Sequence, residues 1–216
     1  RTVPLTIEEW SKQRNICLNQ KHKYSFELGF ATFYMNRTNR SGIIKGGIIG
    51  GQEQSGRWKM NARFNREDLA KRIQEIVARK DDIKLYNKDV KSFITKYVPL
   101  YEDNALIYFD PPYFNKGKQL YMNFFGFHDH KRIESIIREN VNCDWIITYD
   151  VAPEIVSIYV AYSMSLYDLN YSVSKKCKAS ELMIFKDGIE IPSEESLQLQ
   201  KIRINIRPYN PTNNII

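Results

Sequence analysis

Asp110-Pro111-Pro112-Tyr113 follows the apolar run Ala105 to Phe109, and these four residues combine an acceptor, a stiff turn and an aromatic face. An ionised carboxylate accepts hydrogen bonds and donates none, so Asp110 and the Pro111 carbonyl can together receive both protons of an amino group. Each prolyl ring fixes φ and removes a backbone donor, which points those acceptors in set directions. Tyr113 adds a ring on which a flat molecule can stack. Open α/β sheets bind ligands beyond the carboxyl ends of their strands, which is where a turn following a buried run falls. The chemistry is that of holding an aminated ring, and it needs neither nucleophile nor metal.

The tetrapeptide resembles the catalytic motif of the DNA adenine methylase family. Asn36-Arg37-Thr38-Asn39-Arg40-Ser41-Gly42, after a helix-like apolar segment, resembles that family's target-recognition segment, and Glu181-Leu182-Met183-Ile184-Phe185 resembles its last sheet strand. The likeness runs from about Glu27 to Gly188. It implies transfer of a methyl group from S-adenosyl-L-methionine to the exocyclic amino nitrogen of an adenine. That nitrogen is unreachable inside duplex DNA, so the base must be flipped out. The catalytic residues implied are Asp110, Pro111, Pro112 and Tyr113, with cofactor contacts from Asp110 and Asp89. For Asp89 a second reading stands beside this one: an N-cap for the helix that begins at Val90. A cytosine amino group, an RNA adenine and a non-catalytic DNA-binding pseudo-methyltransferase are the alternatives to adenine methylation.

Composition suits a globular nucleic-acid-binding protein. The chain has 216 residues, 43% of them hydrophobic, and a formal net charge of +7. From Asn36 to Arg66 seven basic residues face Glu53 alone, so nearly all of that excess is local. Such a cluster is an electrostatic footprint for phosphates. The expected DNA contacts are Asn36, Arg37, Arg40, Lys45, Gln52, Gln54, Arg57 and Lys59, with Lys116 and Lys118 in a loop after the tetrapeptide that also holds Tyr121. Gly42, Gly46, Gly47, Gly50, Gly51 and Gly56 share the basic segment, but no strand leads into them, which argues against a phosphate-cradling loop. They read as turns of an irregular hairpin at about 38–62, with Ile43-Ile44 and Ile48-Ile49 as apolar rungs. Trp58 sits among the basic residues, where it can wedge against a base or anchor the hairpin.

Cys17, Cys143 and Cys177 lack metal-ligand spacing and read as reduced thiols of an intracellular protein, and the resemblance implies a cytoplasmic protein of prokaryotic or phage type. His128 and His130 flank Asp129, which reads as a helix cap, so no metal is expected.

Around these residues the pattern predicts two domains. Helices over Thr6 to Asn19, Tyr24 to Asn36 and Asn65 to Lys80, with Phe26, Phe30, Phe33 and Tyr34 as core and Leu69, Ile73, Ile76 and Val77 as a stripe, make a recognition domain at 1–81. The catalytic part, 82–207, alternates strands and helices: strand Ile83 to Asn87, helix Val90 to Tyr97, strand Ala105 to Phe109, helix Asp129 to Glu139, strand Trp145 to Tyr149 and helix Glu154 to Tyr162. Strands near Ser165 to Leu169 and Leu182 to Lys186 follow, and Asp187-Gly188 turns into a further strand Ile189 to Ile191. Residues 208–216 read as a flexible tail. The class is α/β with a mainly parallel sheet, and the resemblance makes it a partial Rossmann-like S-adenosylmethionine-dependent methyltransferase sheet.

In the family, a glycine-rich loop and an acidic residue for the cofactor lie upstream of the recognition domain. Nothing before Tyr24 resembles either, so an upstream part of the same protein, or a complementing chain, is expected to complete the cofactor site. The target sequence is not legible. A restriction companion, a solitary methylase and a phage enzyme would share these residues.

Overall fold

The computed structural model describes residues 1–19, 24–101, 104–115, 125–173, 175–202 and 204–211, with the side chains of 169–173, 175–179 and 194 left aside. The chain divides into two compact units, Arg1–Leu85 and Tyr86–Ile216.

In the first unit, α1 (Ile7–Asn19) and α2 (Phe26–Thr38) pack on one another, and α3 (Arg66–Ala78) follows the basic loop. Ser25 caps α2 through the Leu28 N–H, and Asn65 caps α3 through the Asp68 N–H. The core gathers Trp10, Tyr34, Met35, Ile48, Met60, Phe64 and Leu69. Two expectations fail here. Phe26 is 83% exposed and lines an apolar groove of about 360 Å³ instead of filling a core, whereas Tyr34 is buried and Phe30 and Phe33, which also line the groove, pack against the core as expected. Of the α3 stripe only Leu69 is buried and joins the core, while Ile73, Ile76 and Val77 are 46%, 61% and 57% exposed.

The second unit is α/β, with a mixed five-stranded sheet in the order β1-β2-β4-β3-β5. Its elements are α4 (Val90–Tyr97), β1 (Leu106–Phe109), α5 (Phe127–Asn140), β2 (Asp144–Asp150), α6 (Pro153–Ile158), β3 (Ser163–Val173), β4 (Lys175–Phe185), α7 (Glu194–Leu199) and β5 (Ile206–Pro208). Trp145, Ile147 and Tyr149 of β2 and Leu182 and Ile184 of β4 form one face, buried in a cluster with Ile133 and Ile137 of α5 and Ile94 of α4.

The parallel character is less than expected. β1 and β2 run parallel, whereas β2–β4, β3–β4 and β3–β5 are antiparallel. Ile83 to Asn87 forms no strand; Leu85 is 94% exposed, and an alternating pattern cannot hold a strand without a hydrogen-bonding neighbour. Asp187-Gly188 does turn, with Gly188 at φ +94°, but Ile189 to Ile191 adds no strand. The reason is topological: β4 already has β2 on one edge and β3 on the other. Helix α6 ends at Ile158, short of Tyr162, while the β3–β4 hairpin runs longer than its apolar segments suggest. Residues 208–211 are not a loose tail, since Pro208 pairs with Ser165 and the Tyr209 N–H donates to the Met164 carbonyl at 2.9 Å. Residues 212–216 lie outside the described residues. No described helix is long and apolar enough to cross a membrane.

Candidate functional site

β1 ends at Phe109, so Asp110 to Tyr113 begins at the carboxyl end of a strand that runs parallel to β2. Asp110 is exposed, while Pro111, Pro112 and Tyr113 are half-buried. A carboxylate there is free to meet a ligand, and the turn behind it is fixed.

Two acidic residues do the fixing. Asp150 closes β2, and its buried carboxylate accepts from the Phe114 N–H through Oδ1 and from the Asn115 N–H through Oδ2, each at 2.8 Å. Glu181, also buried, accepts from the Tyr113 hydroxyl through Oε1 at 2.6 Å and from the Tyr167 hydroxyl through Oε2. Register explains why these side chains meet. Asp150 pairs with Glu181 across β2–β4, and Glu181 pairs with Tyr167 across β3–β4, so the three share the face opposite the apolar core. Tyr108 shares it too, with its hydroxyl 2.7 Å from Thr148 Oγ1. Burial, followed by the hydrogen bond to Glu181, pushes the Tyr167 hydroxyl well above the ordinary tyrosine range, which keeps it a donor.

Below the turn, Phe114 and Phe125 flank the His130 ring, and His130 Nδ1 lies 3.1 Å from the Tyr149 hydroxyl. Burial lowers the His130 pKa, against the opposing pull of Asp129 and Asp150. Helix α5 begins at Phe127, earlier than expected, so Gly126 and not Asp129 takes the N-cap position, and Asp129 in the first turn accepts from the Gly126 N–H at 2.9 Å. Among the described residues no group of three metal-ligating side chains occurs.

Asp89 takes the N-cap position of α4, where Oδ1 accepts from the Lys91 and Ser92 N–H groups at 3.0 and 3.2 Å. Lys116, Lys118 and Tyr121 lie outside the described residues, as does the Cys177 side chain. Among the described residues Cys17 and Cys143 form no disulfide, and burial raises the Cys17 pKa.

In the first unit the basic loop is held from within. Asn39 is fully buried: Oδ1 accepts from Trp10 Nε1 at 2.8 Å, and Nδ2 donates to the Ile43 and Ile44 carbonyls at 2.9 and 3.0 Å. Gln54 was expected among the DNA-contacting groups, but its amide donates to the Ile49 and Gly51 carbonyls and accepts from the Met60 N–H, so it braces the loop. Gly50, at φ +88°, sits so close to the Trp58 carbonyl that a Cβ would lie 2.8 Å from it. The expected rungs Ile43-Ile44 and Ile48-Ile49 do not pair; a single bridge, Asn39 to Ile48, ties the ends, because Arg40–Gly42 turns into a 3-10 segment. Asn36 spends its side-chain amide on the Gly42 carbonyl at 3.1 Å.

Arg40, Lys45, Gln52, Arg57 and Lys59 are exposed, and Arg37 is half-buried. Among the described residues none of the five cations makes an ion pair, whereas Lys71, Arg72 and Arg79 on and after α3 are paired with Glu75, Asp68 and Asp82. Trp58 is 65% exposed, with the Arg57 guanidinium 5.4 Å from its ring centre.

Sequence reasoning missed Asp150, Glu181 and Tyr167. A signal existed for two of them. Asp150 ends its strand as Asp110 follows β1, and Glu181 is a charge directly before the apolar run Leu182 to Phe185. The chain matches no protein-family model and no curated protein sequence.

Proposed function

We propose that this chain carries the adenine-binding half of an S-adenosyl-L-methionine-dependent DNA methyltransferase acting on the exocyclic amino nitrogen of a flipped adenine. The observation that supports it best is the Asp110-Pro111-Pro112-Tyr113 turn, standing at the carboxyl end of a parallel strand and anchored by Asp150 and Glu181. In this reading the second unit is part of a Rossmann-like methyltransferase domain, and the first is a target-recognition domain whose unpaired cations meet phosphates.

The amino nitrogen of adenine is a weak nucleophile because its lone pair is delocalised into the ring. The Asp110 carboxylate and the Pro111 carbonyl accept its two protons and favour a pyramidal nitrogen. As that nitrogen gains positive charge, both hydrogen bonds strengthen, and Asp110 stands ready to take the departing proton. Tyr113 stacks on the base and sets the line of approach, so much of the rate gain comes from positioning.

The donor supplies the methyl group. The residues described here suit the adenine better than the donor: among them no glycine-rich turn joins a strand to a helix, and Asp89 is engaged as a cap. The donor therefore calls for a complementing polypeptide segment, and from this chain Asp110 would help to hold it. That same want of a glycine turn favours the second reading, a DNA-binding polypeptide without activity.

The test is transfer of labelled methyl groups to mixed-sequence duplex DNA by the chain together with its complementing segment. Asp110→Ala is expected to lose at least about a hundredfold in rate, with DNA affinity kept. Normal methylation by the substituted protein would overturn the mechanism. Salt-sensitive DNA binding without calorimetric uptake of S-adenosylmethionine would favour the second reading.

A further inference from the structure

We infer that Glu181 is a positioning residue that sets the plane of the Tyr113 ring, and that Tyr167 sets Glu181. The inference rests on the reading of Tyr113 as the surface on which the adenine stacks.

A tyrosine ring turns about two side-chain bonds, and a half-buried one keeps part of that freedom. A stacking surface useful in a reaction must hold its plane to within a small angle. The two proline rings fix the backbone up to Pro112, but they do not set the rotation of the Tyr113 side chain. The 2.6 Å bond from the Tyr113 hydroxyl to Glu181 Oε1 supplies a second anchor at the far end of the ring. A bond from a hydroxyl to an ionised carboxylate is among the stronger kinds.

Glu181 is itself held. It lies on a strand paired on both sides, its side chain is 3% exposed, and Oε2 takes the Tyr167 hydroxyl from the neighbouring strand. The anchor therefore moves only if the sheet moves. Burying this carboxylate next to the buried Asp150 carboxylate carries a desolvation cost, which its hydrogen bonds to the two tyrosine hydroxyls offset. Asp150 holds the backbone after the turn, and Glu181 holds the ring.

The chain with its complementing segment is assayed for methyl transfer as wild type, Tyr113→Phe, Glu181→Gln, Glu181→Ala and the double variant Tyr113→Phe/Glu181→Ala. Tyr113→Phe keeps the ring and deletes only its anchor. It is expected to lower kcat about tenfold with DNA affinity within twofold. Glu181→Gln retains an acceptor and should recover much of the loss seen in Glu181→Ala. The double variant should be no slower than the worse single variant, because both act through one bond. A Tyr113 hydroxyl proton resolved by NMR in the wild type and lost in Glu181→Ala reports the bond without reference to activity. Full kcat in Tyr113→Phe, or additive losses in the double variant, overturns the positioning role while leaving the proposed function intact. A wild type that binds DNA but transfers no methyl group overturns that function, and the inference with it. If Glu181→Ala does not fold, Tyr113→Phe and Tyr167→Phe decide, the latter expected to give the smaller loss.

Discussion

Asp150 and Glu181 are register partners across β2 and β4, and their carboxylates grip the same turn from two sides, one by its backbone and the other by the Tyr113 hydroxyl. Four carboxylate oxygens meet four donors. Like charges directly opposite on a sheet repel, so this pairing persists because every oxygen is occupied.

Removing Asp150 leaves the Phe114 and Asn115 N–H groups without their acceptor. Asp150→Ala should destabilise the second unit by about 2–3 kcal/mol, and Asp150→Asn, which keeps one acceptor, by about 1 kcal/mol. Urea unfolding followed by Trp145 fluorescence checks the order; equal midpoints for the two variants would contradict it.

Asn39 is a different kind of keystone, because it must both accept and donate. Asn39→Ala should destabilise the first unit by about 3 kcal/mol, orphaning Trp10 Nε1 and two carbonyls. Asn39→Asp keeps the acceptor for Trp10 and loses both donations, so it should recover little. Trp10 fluorescence during denaturation distinguishes the two, and full stability of the aspartate variant would refute the donating role.

The unpaired cations of the loop predict a salt dependence. Replacing Arg40, Lys45, Arg57 and Lys59 by glutamine should reduce the slope of log affinity for duplex DNA against log salt by about 3–4, at roughly 0.9 per lost phosphate contact. The same change at Lys71, Arg72 and Arg79, which are already paired, should leave the slope as it was. Filter binding at several salt concentrations reads both.

His130 predicts a pH dependence. Burial lowers its folded pKa, so the imidazole is neutral in the fold, while the unfolded chain takes up a proton near the ordinary value of 6.5. In acid the unfolded state therefore binds more protons, and stability falls as the pH drops through about 6.5 toward the folded value. His130→Phe, whose ring can pack against Phe114 and Phe125, should flatten the midpoint-against-pH curve between about pH 7 and 5. An unchanged curve would exclude His130 as its source.

What was legible in the chain was whatever local chemistry decides. Helix α4 spans Val90–Tyr97 as its pattern predicts, since Asp89 caps it and Phe93, Ile94 and Tyr97 mark its face. The tetrapeptide is legible for the same reason: its turn is built into two prolines. Ile83 to Asn87 misleads because its alternation says what the segment would be if a neighbour were present. The link of Glu181 and Tyr167 to the turn stays hidden because Glu181 lies 68 residues from Tyr113 and Tyr167 meets it only across a strand, and only register brings them together. Phe26 reads as core by spacing, yet spacing cannot tell whether anything stands opposite.

The long antiparallel hairpin β3–β4 therefore acts as a gauge for the turn. A slip of one residue between β2 and β4 would send Glu181 to the apolar side and bring Leu182 to the Tyr113 hydroxyl. Substitutions along the hairpin can be many and mild, whereas a single residue inserted or deleted within β2 or β4 that shifts the Asp150–Glu181 pairing would disarm the site without touching the turn. Length changes in this part of the protein are tolerable in the connections between strands, where they leave that register alone.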